Sequence, residues 1–150
     1  MAIRNIVKNG DELLRKKSRV VEQFDQRLWT LLDDMTDTMR KADGAGLAAV
    51  QVGVLKRAVV VEVDDQLIEL INPVIVEAKG KQRGAEGCLS FPGEWGTVTR
   101  PMHVTVKAQD RYGKEFTVSG SELMARAFCH ELDHLDGKLY VDIAEEMIKE

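Results

Sequence analysis

The stretch Ser119-Gly-Ser-Glu-Leu-Met-Ala-Arg-Ala-Phe-Cys-His-Glu-Leu-Asp-His-Leu-Asp-Gly137 predicts a long, buried helix near the C-terminus. Residues 119–122 match a capping box, which predicts a helix from Gly120 to about Leu135, and Gly137 stands where helices commonly end in left-handed backbone. The apolar residues of this segment cover much of its circumference. Because a surface helix would carry more polar residues, we expect this helix to lie at the centre of the fold.

Two histidines lie one turn apart within this predicted helix. In His130-Glu131-Leu132-Asp133-His134, the imidazoles occupy positions i and i+4 and face the same side. Such a pair can bind one metal ion, with Glu131 beside it as a proton carrier. The pattern also arises by chance, but burying these ionisable groups among apolar residues is costly unless they are paired or bound to metal. The sequence therefore favours a metal site.

Catalytic zinc-type sites hold the ion with three protein ligands and leave one coordination position open for water. The two histidines therefore need a third ligand. The candidates are Cys88, His103, Cys129 and a carboxylate. Cys129 points about 100° away from His130 around the helix and is interpreted as a core residue, whereas His103 is interpreted as a surface or half-buried strand residue. Cys88 has the best context, since nearby glycines permit close approach and a thiolate binds divalent ions well. A buried structural cysteine is the alternative, and spacing does not decide between them.

The remaining chain predicts an α+β fold with mostly antiparallel strands packed around the buried C-terminal helix. Changes of hydrophobic period and turn residues mark the predicted boundaries. The predicted elements are a helix from the Asp25 cap to about Lys41, strands at 58–63 and 67–71 joined by a turn at Asp64-Asp65, an edge continuation at 73–77 after an interruption at Asn72-Pro73, a polar loop over 80–87, a hairpin of 102–108 with 115–118, and a short helix over 144–149.

Composition narrows the class of protein. The chain has 150 residues, 25 acidic and 21 basic side chains and a formal charge of −4, which fits one domain over residues 1–150 and argues against a protein that mainly binds nucleic acid. Two cysteines exclude a disulfide-dense scaffold. No apolar segment of signal-peptide form follows Met1, and the apolar runs are too short to span a bilayer. We therefore expect a cytoplasmic protein without membrane association.

Three motifs together resemble one family. Gly44-Ala-Gly-Leu-Ala-Ala-Val-Gln51 reads locally as a flexible turn followed by small residues. With Glu86-Gly-Cys-Leu-Ser90 and the His-Glu-x-x-His pattern of 130–134, it resembles the peptide deformylases, which carry these motifs in this order. The resemblance extends from about Val7 to Val141. It departs from the family pattern at Cys129, where glutamine is frequent.

The resemblance implies removal of the N-formyl group from the initiator formyl-methionine of new polypeptides, with release of formate. The roles it implies are metal binding by Cys88, His130 and His134, proton transfer by Glu131, oxyanion binding by Gln51 and the Leu89 backbone N–H, and contact of Gly46 with the peptide backbone. Matching by position also suggests Ala45, Phe91, Leu123, Met124 and Ala127 near the methionine side chain. Core packing is the alternative for Leu123 and Met124.

The implied cofactor is one divalent metal ion, usually Fe²⁺ in this family, with Zn²⁺, Ni²⁺ or Co²⁺ able to occupy the same site. A thiolate ligand exposes an iron form to oxidation, which predicts air-sensitive activity with iron and robust activity with nickel. The implied partners are nascent N-formyl-methionyl peptides, met in transient proximity to the ribosome. The acidic charge predicts no strong binding to nucleic acid.

Two other function classes share part of this pattern. Metallopeptidases that cut internal peptide bonds also carry His-Glu-x-x-His, but their third ligand is usually His or Glu, which Cys88 argues against. A non-catalytic metal-dependent binding domain is the other class, and the joint presence of Gln51, Cys88 and Glu131 argues against it. A closed structural site would need a fourth Cys or His, and only His103 and Cys129 are spare.

Overall fold

The computed structural model describes residues 2–149, which form two α-helices and eight β-strands. The helices are α1 (Gln26–Lys41) and α2 (Leu123–Leu135). The strands are β1 (Gly46–Ala48), β2 (Ala58–Val63), β3 (Gln66–Lys79), β4 (Gln82–Cys88), β5 (Phe91–Arg100), β6 (His103–Gln109), β7 (Glu115–Ser121) and β8 (Glu146–Lys149). Short 3-10 helices occupy Glu12–Arg15, Ala49–Val52 and Tyr140–Asp142. None of the helices in 2–149 combines the length and apolar character that a bilayer-spanning segment requires.

The strands form two antiparallel sheets around α2. The larger sheet has the order β1-β2-β3-β6-β7, and the smaller has the order β4-β5-β8. Helix α2 contacts β1, β2, β6 and β7 of the larger sheet and β5 of the smaller one. All of its residues except Leu123 and Asp133 are buried. The predicted α+β fold, with mostly antiparallel strands around a buried C-terminal helix, is confirmed.

Helix α1 begins and ends where the sequence predicts. The Asp25 side chain accepts a hydrogen bond from the Leu28 backbone N–H at 3.2 Å, which satisfies a donor of the first turn. The apolar stripe of α1 packs with Ala58 and Val60 of β2, whereas Val59 and Val61 pack with α2. Since alternate strand residues point to opposite faces, the two helices cover opposite faces of the larger sheet.

The N-terminus of α2 differs from the prediction. The predicted capping box over 119–122 and helix start at Gly120 are wrong, because residues 119–121 pair with β6 and the helix begins at Leu123. Glu122 makes the turn from strand to helix with a φ of 56°. Hydrogen bonding to a neighbouring strand uses the backbone groups that a helical turn would need, so long-range pairing outweighs the local pattern.

The smaller sheet is where the sequence prediction fails most. Residues 80–87, predicted as a polar loop, contribute β4, and the segment 144–149, predicted as a short helix, contains β8. Strand β5 was not predicted at all. These strands are partly exposed and rich in glycine and polar residues, so they lack the apolar alternation that marks a strand in sequence. Their pairing with one another is what makes them strands.

Strand β3 continues through Asn72-Pro73, where the sequence predicts an interruption. Its pairs with β2 reach Ile71, and its second half pairs with β6. Asn72 has a φ of 51°, and its side-chain amide accepts from the Val21 N–H at 2.8 Å and donates to the Val21 carbonyl at 2.9 Å. The strand therefore shifts register at this point without ending. The predicted turn at Asp64-Asp65 joins β2 to β3, with φ values of 52° and 63°.

Candidate metal centre

Cys88, His130 and His134 converge at one point, although Cys88 is remote from the histidines in sequence. Strand β4 ends at Cys88, and α2 presents both imidazoles on one side. The Nε2 of His134 lies 3.4 Å from the Sγ of Cys88 and 3.3 Å from the Nε2 of His130. The three ligand atoms all lie within 4.8 Å of one another. The structure thus brings together the three residues that the resemblance implies as ligands.

The chemistry of these three side chains fits a divalent transition metal. A thiolate and two imidazoles are donors that such ions prefer, and three protein ligands leave a position for water or substrate. Burial, with the neighbouring His130, holds the pKa of His134 well below its ordinary value. A neutral imidazole is the form that binds a metal, so the environment of His134 suits a ligand.

The buried carboxylate of Glu86 orients His130. The Nδ1–H of His130 donates to Oε2 of Glu86 at 2.7 Å, which leaves Nε2 to face Cys88 and the second histidine. Arg100 and Arg126 donate to the same carboxylate at 2.7 and 2.9 Å. Burial opposes ionisation of Glu86, but the hydrogen bonds from His130 and Arg100 outweigh it and lower its pKa to about 2. Glu86 therefore acts as a fixed negative charge behind the imidazole.

The Glu131 side chain lies against the backbone of β1. It is 4% exposed, and its Oε1 has no hydrogen-bond partner within residues 2–149. A Cβ on Gly46 would lie 2.6 Å from its Oε2, so the carboxylate can occupy this place only because residue 46 is glycine. Burial raises the pKa of Glu131 to about 7. An unpaired buried carboxyl group is costly, which indicates that a ligand or water binds to it.

Gln51 lies behind Cys88 with both ends of its amide fixed. It is 1% exposed, and its Oε1 accepts a hydrogen bond from the Ala48 backbone N–H at 2.9 Å. Its Nε2 donates to the Ser90 Oγ at 3.1 Å and lies 3.6 Å from the Cys88 Sγ. The amide N–H groups therefore point toward the cysteine segment.

A cavity of about 430 Å³ opens beside these residues. The predicted site residues that line it are Ala45, Gly46, Cys88, Leu89, Phe91, Leu123, Ala127, His130 and Glu131. Gln51 and His134 are not among the residues that line it. Met124, suggested near the methionine side chain, packs instead in the core cluster between α2 and the larger sheet. The cavity gives an extended ligand access to Cys88, His130 and Glu131.

The chain matches one known family along nearly its whole length. A family model described as polypeptide deformylase covers residues 3–150. The chain belongs to this family. A peptide deformylase of Caldicellulosiruptor bescii is 57% identical over 155 residues, covering 100% of this chain and 93% of the relative. A second, from Acetivibrio thermocellus, is 57% identical over 150 residues, covering 100% and 88%.

Solved peptide deformylases share the fold. The Legionella pneumophila crystal structure has a TM-score of 0.92 at 47% identity, covering 95% of this chain and 86% of that one. The Thermotoga maritima crystal structure has a TM-score of 0.93 at 36% identity, covering 96% and 99%. The predicted family and activity are confirmed: this polypeptide deformylase is a hydrolase that removes the N-formyl group from newly made polypeptides.

The two spare candidates for a third ligand in this deformylase lie away from the converging side chains. Cys129 is 6% exposed in the core, where burial raises the pKa of its thiol to about 11. His103 is exposed on β6, with its Nδ1 2.7 Å from the Ser121 Oγ. Both positions agree with the sequence interpretation, which left Cys88 as the favoured third ligand.

Four residues around the cavity and the converging side chains received no role from the sequence. Glu86, Arg100 and Arg126 form the charged cluster behind His130, and Trp95 lines the cavity. The β-branched run Thr97-Val-Thr99 could have predicted a strand leading to Arg100. Nothing local indicates that Arg100 pairs with Glu86, because the contact depends on how β4 and β5 pair.

Proposed function

We propose that Cys88, His130 and His134 hold one divalent metal ion and that Glu131 carries protons in the hydrolysis of the formyl group. The observation that carries this proposal is the convergence of three ligand atoms within 4.8 Å at the wall of a cavity that a buried, unpaired carboxylate also lines. The native ion is Fe²⁺, and Zn²⁺, Ni²⁺ or Co²⁺ can occupy the same mixed thiolate and imidazole site. The ion supplies Lewis acidity, which polarises a carbonyl and lowers the pKa of water.

Gln51 and the backbone N–H of Leu89 bind the formyl oxygen as it gains negative charge. The support for Gln51 is its fixed amide, since Oε1 is held by Ala48 and Nε2 points toward Cys88. Because Oε1 is occupied, the group that Gln51 offers to the substrate is a donor. One donor of this kind stabilises a transition state by about 3–4 kcal/mol.

Glu131 accepts a proton from the attacking water and returns it to the leaving nitrogen. Water adds to the formyl carbon, the bond between that carbon and the nitrogen breaks, and the products are formate and a free amine. The support is the buried Oε1 of Glu131, which has no partner within residues 2–149 and is available for such a transfer. General acid–base catalysis by one side chain contributes about 10²–10⁴-fold to a rate.

The methionine side chain enters the cavity between Ala45, Phe91, Leu123 and Ala127, all of which line it. The two alanines leave room for a long, unbranched side chain. Gly46 offers its backbone to the substrate main chain, which binds as an additional extended strand. Recognition of methionine and main chain suits an enzyme that processes many different polypeptides.

Residues 1–150 act as one catalytic domain in the cytoplasm, where the enzyme meets nascent N-formyl-methionyl peptides. The support for one domain is that the ligands come from β4 and α2, and that α2 contacts both sheets. The formal charge of −4 disfavours strong binding to RNA, so proximity to the ribosome is transient.

The test is formate release from a short N-formyl-methionyl peptide by protein prepared without oxygen and loaded with nickel or iron. We expect one formate for each new free amine. Glu131→Gln keeps the shape of the side chain and should retain metal while losing about 10²–10⁴-fold in kcat. His103→Asn, which changes an exposed histidine on β6, is the matched control and should keep wild-type activity.

Absence of formate with metal demonstrably bound would overturn the assignment of these residues to formyl hydrolysis. It would leave the non-catalytic metal-dependent binding domain as the function to pursue. Loss of metal in Glu131→Gln would also contradict the proposal, because Glu131 would then act as a ligand and not as a proton carrier.

A further inference from the structure

Ser90 connects the two chain segments that supply the proposed donors to the formyl oxygen. Its Oγ accepts a hydrogen bond from Nε2 of Gln51 at 3.1 Å, and Ser90 is 0% exposed. Gln51 lies in the 3-10 helix Ala49–Val52, whereas Ser90 follows Leu89 just after the end of β4. The contact between the two residues therefore sets how these segments lie relative to each other.

Two hydrogen bonds together determine the plane of the Gln51 amide. Its Oε1 accepts from the Ala48 backbone N–H at 2.9 Å, which fixes the oxygen end. That bond alone would leave the amide free to turn about it, and the bond from Nε2 to the Ser90 Oγ removes this freedom. Because Nε2 carries two hydrogens, one donor remains after Ser90 is bound. This donor faces the Cys88 side, where Nε2 lies 3.6 Å from Sγ.

The N-terminal segment holds the same two residues through their backbones. The Val7 N–H donates to the Gln51 carbonyl at 2.7 Å, and the Asn9 N–H donates to the Ser90 carbonyl at 2.8 Å. We call residues 7–9 the N-terminal strap. One side-chain hydrogen bond and two strap hydrogen bonds thus act on one pair of residues. Support of this kind holds the groups of a site at a defined separation.

We propose that Ser90 is a positioning residue that holds the remaining N–H of Gln51 at the separation from the Leu89 backbone N–H at which both donate to one oxygen. This inference rests on the proposed function, in which these two groups bind the formyl oxygen as it gains negative charge. Leu89 directly precedes Ser90, with Cα atoms about 3.8 Å apart, so one residue orients the first donor and adjoins the second. Ser90 does not line the cavity and acts through Gln51.

The physical basis is that a donor stabilises the oxygen only at the correct distance and angle. Ser90→Ala removes the acceptor and lets the Gln51 amide turn about its bond to Ala48. The oxygen becomes negative only in the transition state, so the loss should fall on kcat and leave KM within about twofold. We expect kcat to fall about tenfold, since a small displacement of a positioned group has an effect of this order.

The test is a double-mutant cycle in the nickel-loaded enzyme, with formate release from formyl-Met-Ala-Ser as the readout. Ser90→Ala should lower kcat about tenfold and Gln51→Ala about 100-fold. The double variant should also lose about 100-fold, because Ser90 has nothing to position once Gln51 is alanine. If Ser90 only supported the fold, the two losses would multiply to about 1,000-fold.

Ser18→Ala is the matched control for the loss of a buried hydroxyl group. Ser18 is 4% exposed, and its Oγ has no hydrogen-bond partner within residues 2–149. This variant should keep the wild-type kcat. Urea unfolding of Ser18→Ala and Ser90→Ala compares their stabilities, so that a loss of folded protein is not counted as a loss of kcat.

Asn9→Pro tests the strap in a protein that keeps Ser90. Asn9 is exposed and precedes Gly10, whose φ is 96°, in a turn over residues 8–11 closed by a backbone hydrogen bond of 3.2 Å. Proline is favoured at this position of such a turn, so the substitution removes the N–H that binds Ser90 and keeps the turn. We expect kcat to fall about fivefold, and to stay unchanged when the substitution is added to Gln51→Ala.

Asn9→Ala is the control for this second cycle, because it removes the same side chain and keeps the backbone N–H. It should retain the wild-type kcat. If Ser90→Ala does not fold, the Asn9→Pro cycle decides alone, and losses that multiply with Gln51→Ala would overturn the inference.

The side-chain amide of Gln51 gives a readout that does not depend on turnover. Its two hydrogens are identified in nuclear magnetic resonance spectra of zinc-loaded, ¹⁵N-labelled protein by their absence in Gln51→Ala. They should exchange with water about fivefold faster in Ser90→Ala and at the wild-type rate in Ser18→Ala.

Unchanged amide exchange in Ser90→Ala would overturn the inference, as would losses that multiply in the double variant. A wild-type kcat in Gln51→Ala is a different failure, that of the proposed role of Gln51, and it would remove the basis of this inference too. Absence of formate with the wild-type enzyme would be the failure of the proposed function as a whole.

Discussion

Gly46 and Glu131 adjoin so closely that no methyl group fits between them. A Cβ on residue 46 would lie 2.6 Å from Oε2, 2.8 Å from Cγ and 3.0 Å from Cδ of the glutamate. Glu131 is 4% exposed, so a methyl group at residue 46 would have to displace the buried carboxylate from this place. Glycine at position 46 therefore determines where the carboxylate proposed to carry protons lies.

Gly46→Ala should displace this carboxylate and lower kcat/KM about 100-fold, because a shift of about 1 Å in a catalytic group has an effect of this size. Metal content should not change, since the proposed ligands lie on other elements. Formate release and metal analysis of the purified variant measure the two quantities.

Gly84→Ala is the matched control for this substitution. A Cβ on Gly84 would lie 3.6 Å from Nη2 of Arg126, which is ordinary contact, so the variant should keep its activity. A wild-type rate in Gly46→Ala would show that Glu131 has freedom that the packing does not indicate.

Glu86→Gln should weaken metal binding about 10–100-fold, the range found when a residue that orients a metal-bound histidine is changed. The amide cannot act as the negative acceptor for the His130 Nδ1–H and for both arginines, Arg100 and Arg126. Competition with a chelator at fixed pH measures the affinity. Glu145→Gln is the control, since this exposed carboxylate pairs with Arg83 on the surface, and it should leave the affinity unchanged. Equal affinities in both variants would contradict the prediction.

Asp34 of α1 holds the N-terminal segment through hydrogen bonds. Its carboxylate accepts hydrogen bonds from the Ala2 backbone N–H at 2.8 Å and from Nε of Arg4 at 2.9 Å. Burial opposes ionisation of Asp34, but these hydrogen bonds outweigh it, so the pKa of Asp34 lies below its ordinary value. Asp34→Asn should therefore lower the free energy of unfolding at pH 7 by about 1–2 kcal/mol.

The difference between wild type and Asp34→Asn should depend on pH in a defined direction. A carboxyl group with a lowered folded pKa stabilises fully above its unfolded pKa of about 3.9, and this stabilisation is lost as pH falls through the folded value. The difference should be constant between pH 7 and about 5 and should shrink below about 4. Urea unfolding across this range measures it. A difference that grows in acid would contradict the account of Asp34.

Activity of the iron form should decay in air, whereas activity of the nickel form should persist. A thiolate beside an oxidisable ion exposes both the sulfur of Cys88 and the iron to oxidation. Formate release after timed exposure to air, with each ion loaded separately, measures the decay. Cys129→Ala should not slow it, because that thiol is buried in the core and outside the converging side chains. Equal decay of the iron and nickel forms would contradict the prediction.

The sequence predicted well those features that depend on neighbours along the chain. The positions of His130 and His134 on one side of α2 follow from helical spacing, and the Asp25 cap follows from local side-chain chemistry. The predicted start of α2 is wrong because residues 119–121 pair with β6, whereas their local capping-box pattern predicts a helix.

Features that depend on long-range pairing could not be derived from the residues alone. Its glycine-rich context made Cys88 the favoured third ligand, but only the resemblance of three motifs assigned it that role, since its spacing from His130 carries no geometric information. The contact of Glu86 with Arg100 arises from the pairing of β4 with β5, and β5 was not predicted. Nothing in the sequence marks Trp95 either, because its place depends on Gly87 across the sheet.

The pairing of β5 with β8 has a consequence for how this enzyme comes into being. Glu94 pairs with Lys149, so one edge of the smaller sheet closes only after residues 146–149 have been synthesised. Such distant contacts form late, because the chain must first lose the entropy of closing a long loop. An enzyme whose substrates are growing chains therefore completes its own smaller sheet only once its own translation has passed residue 149.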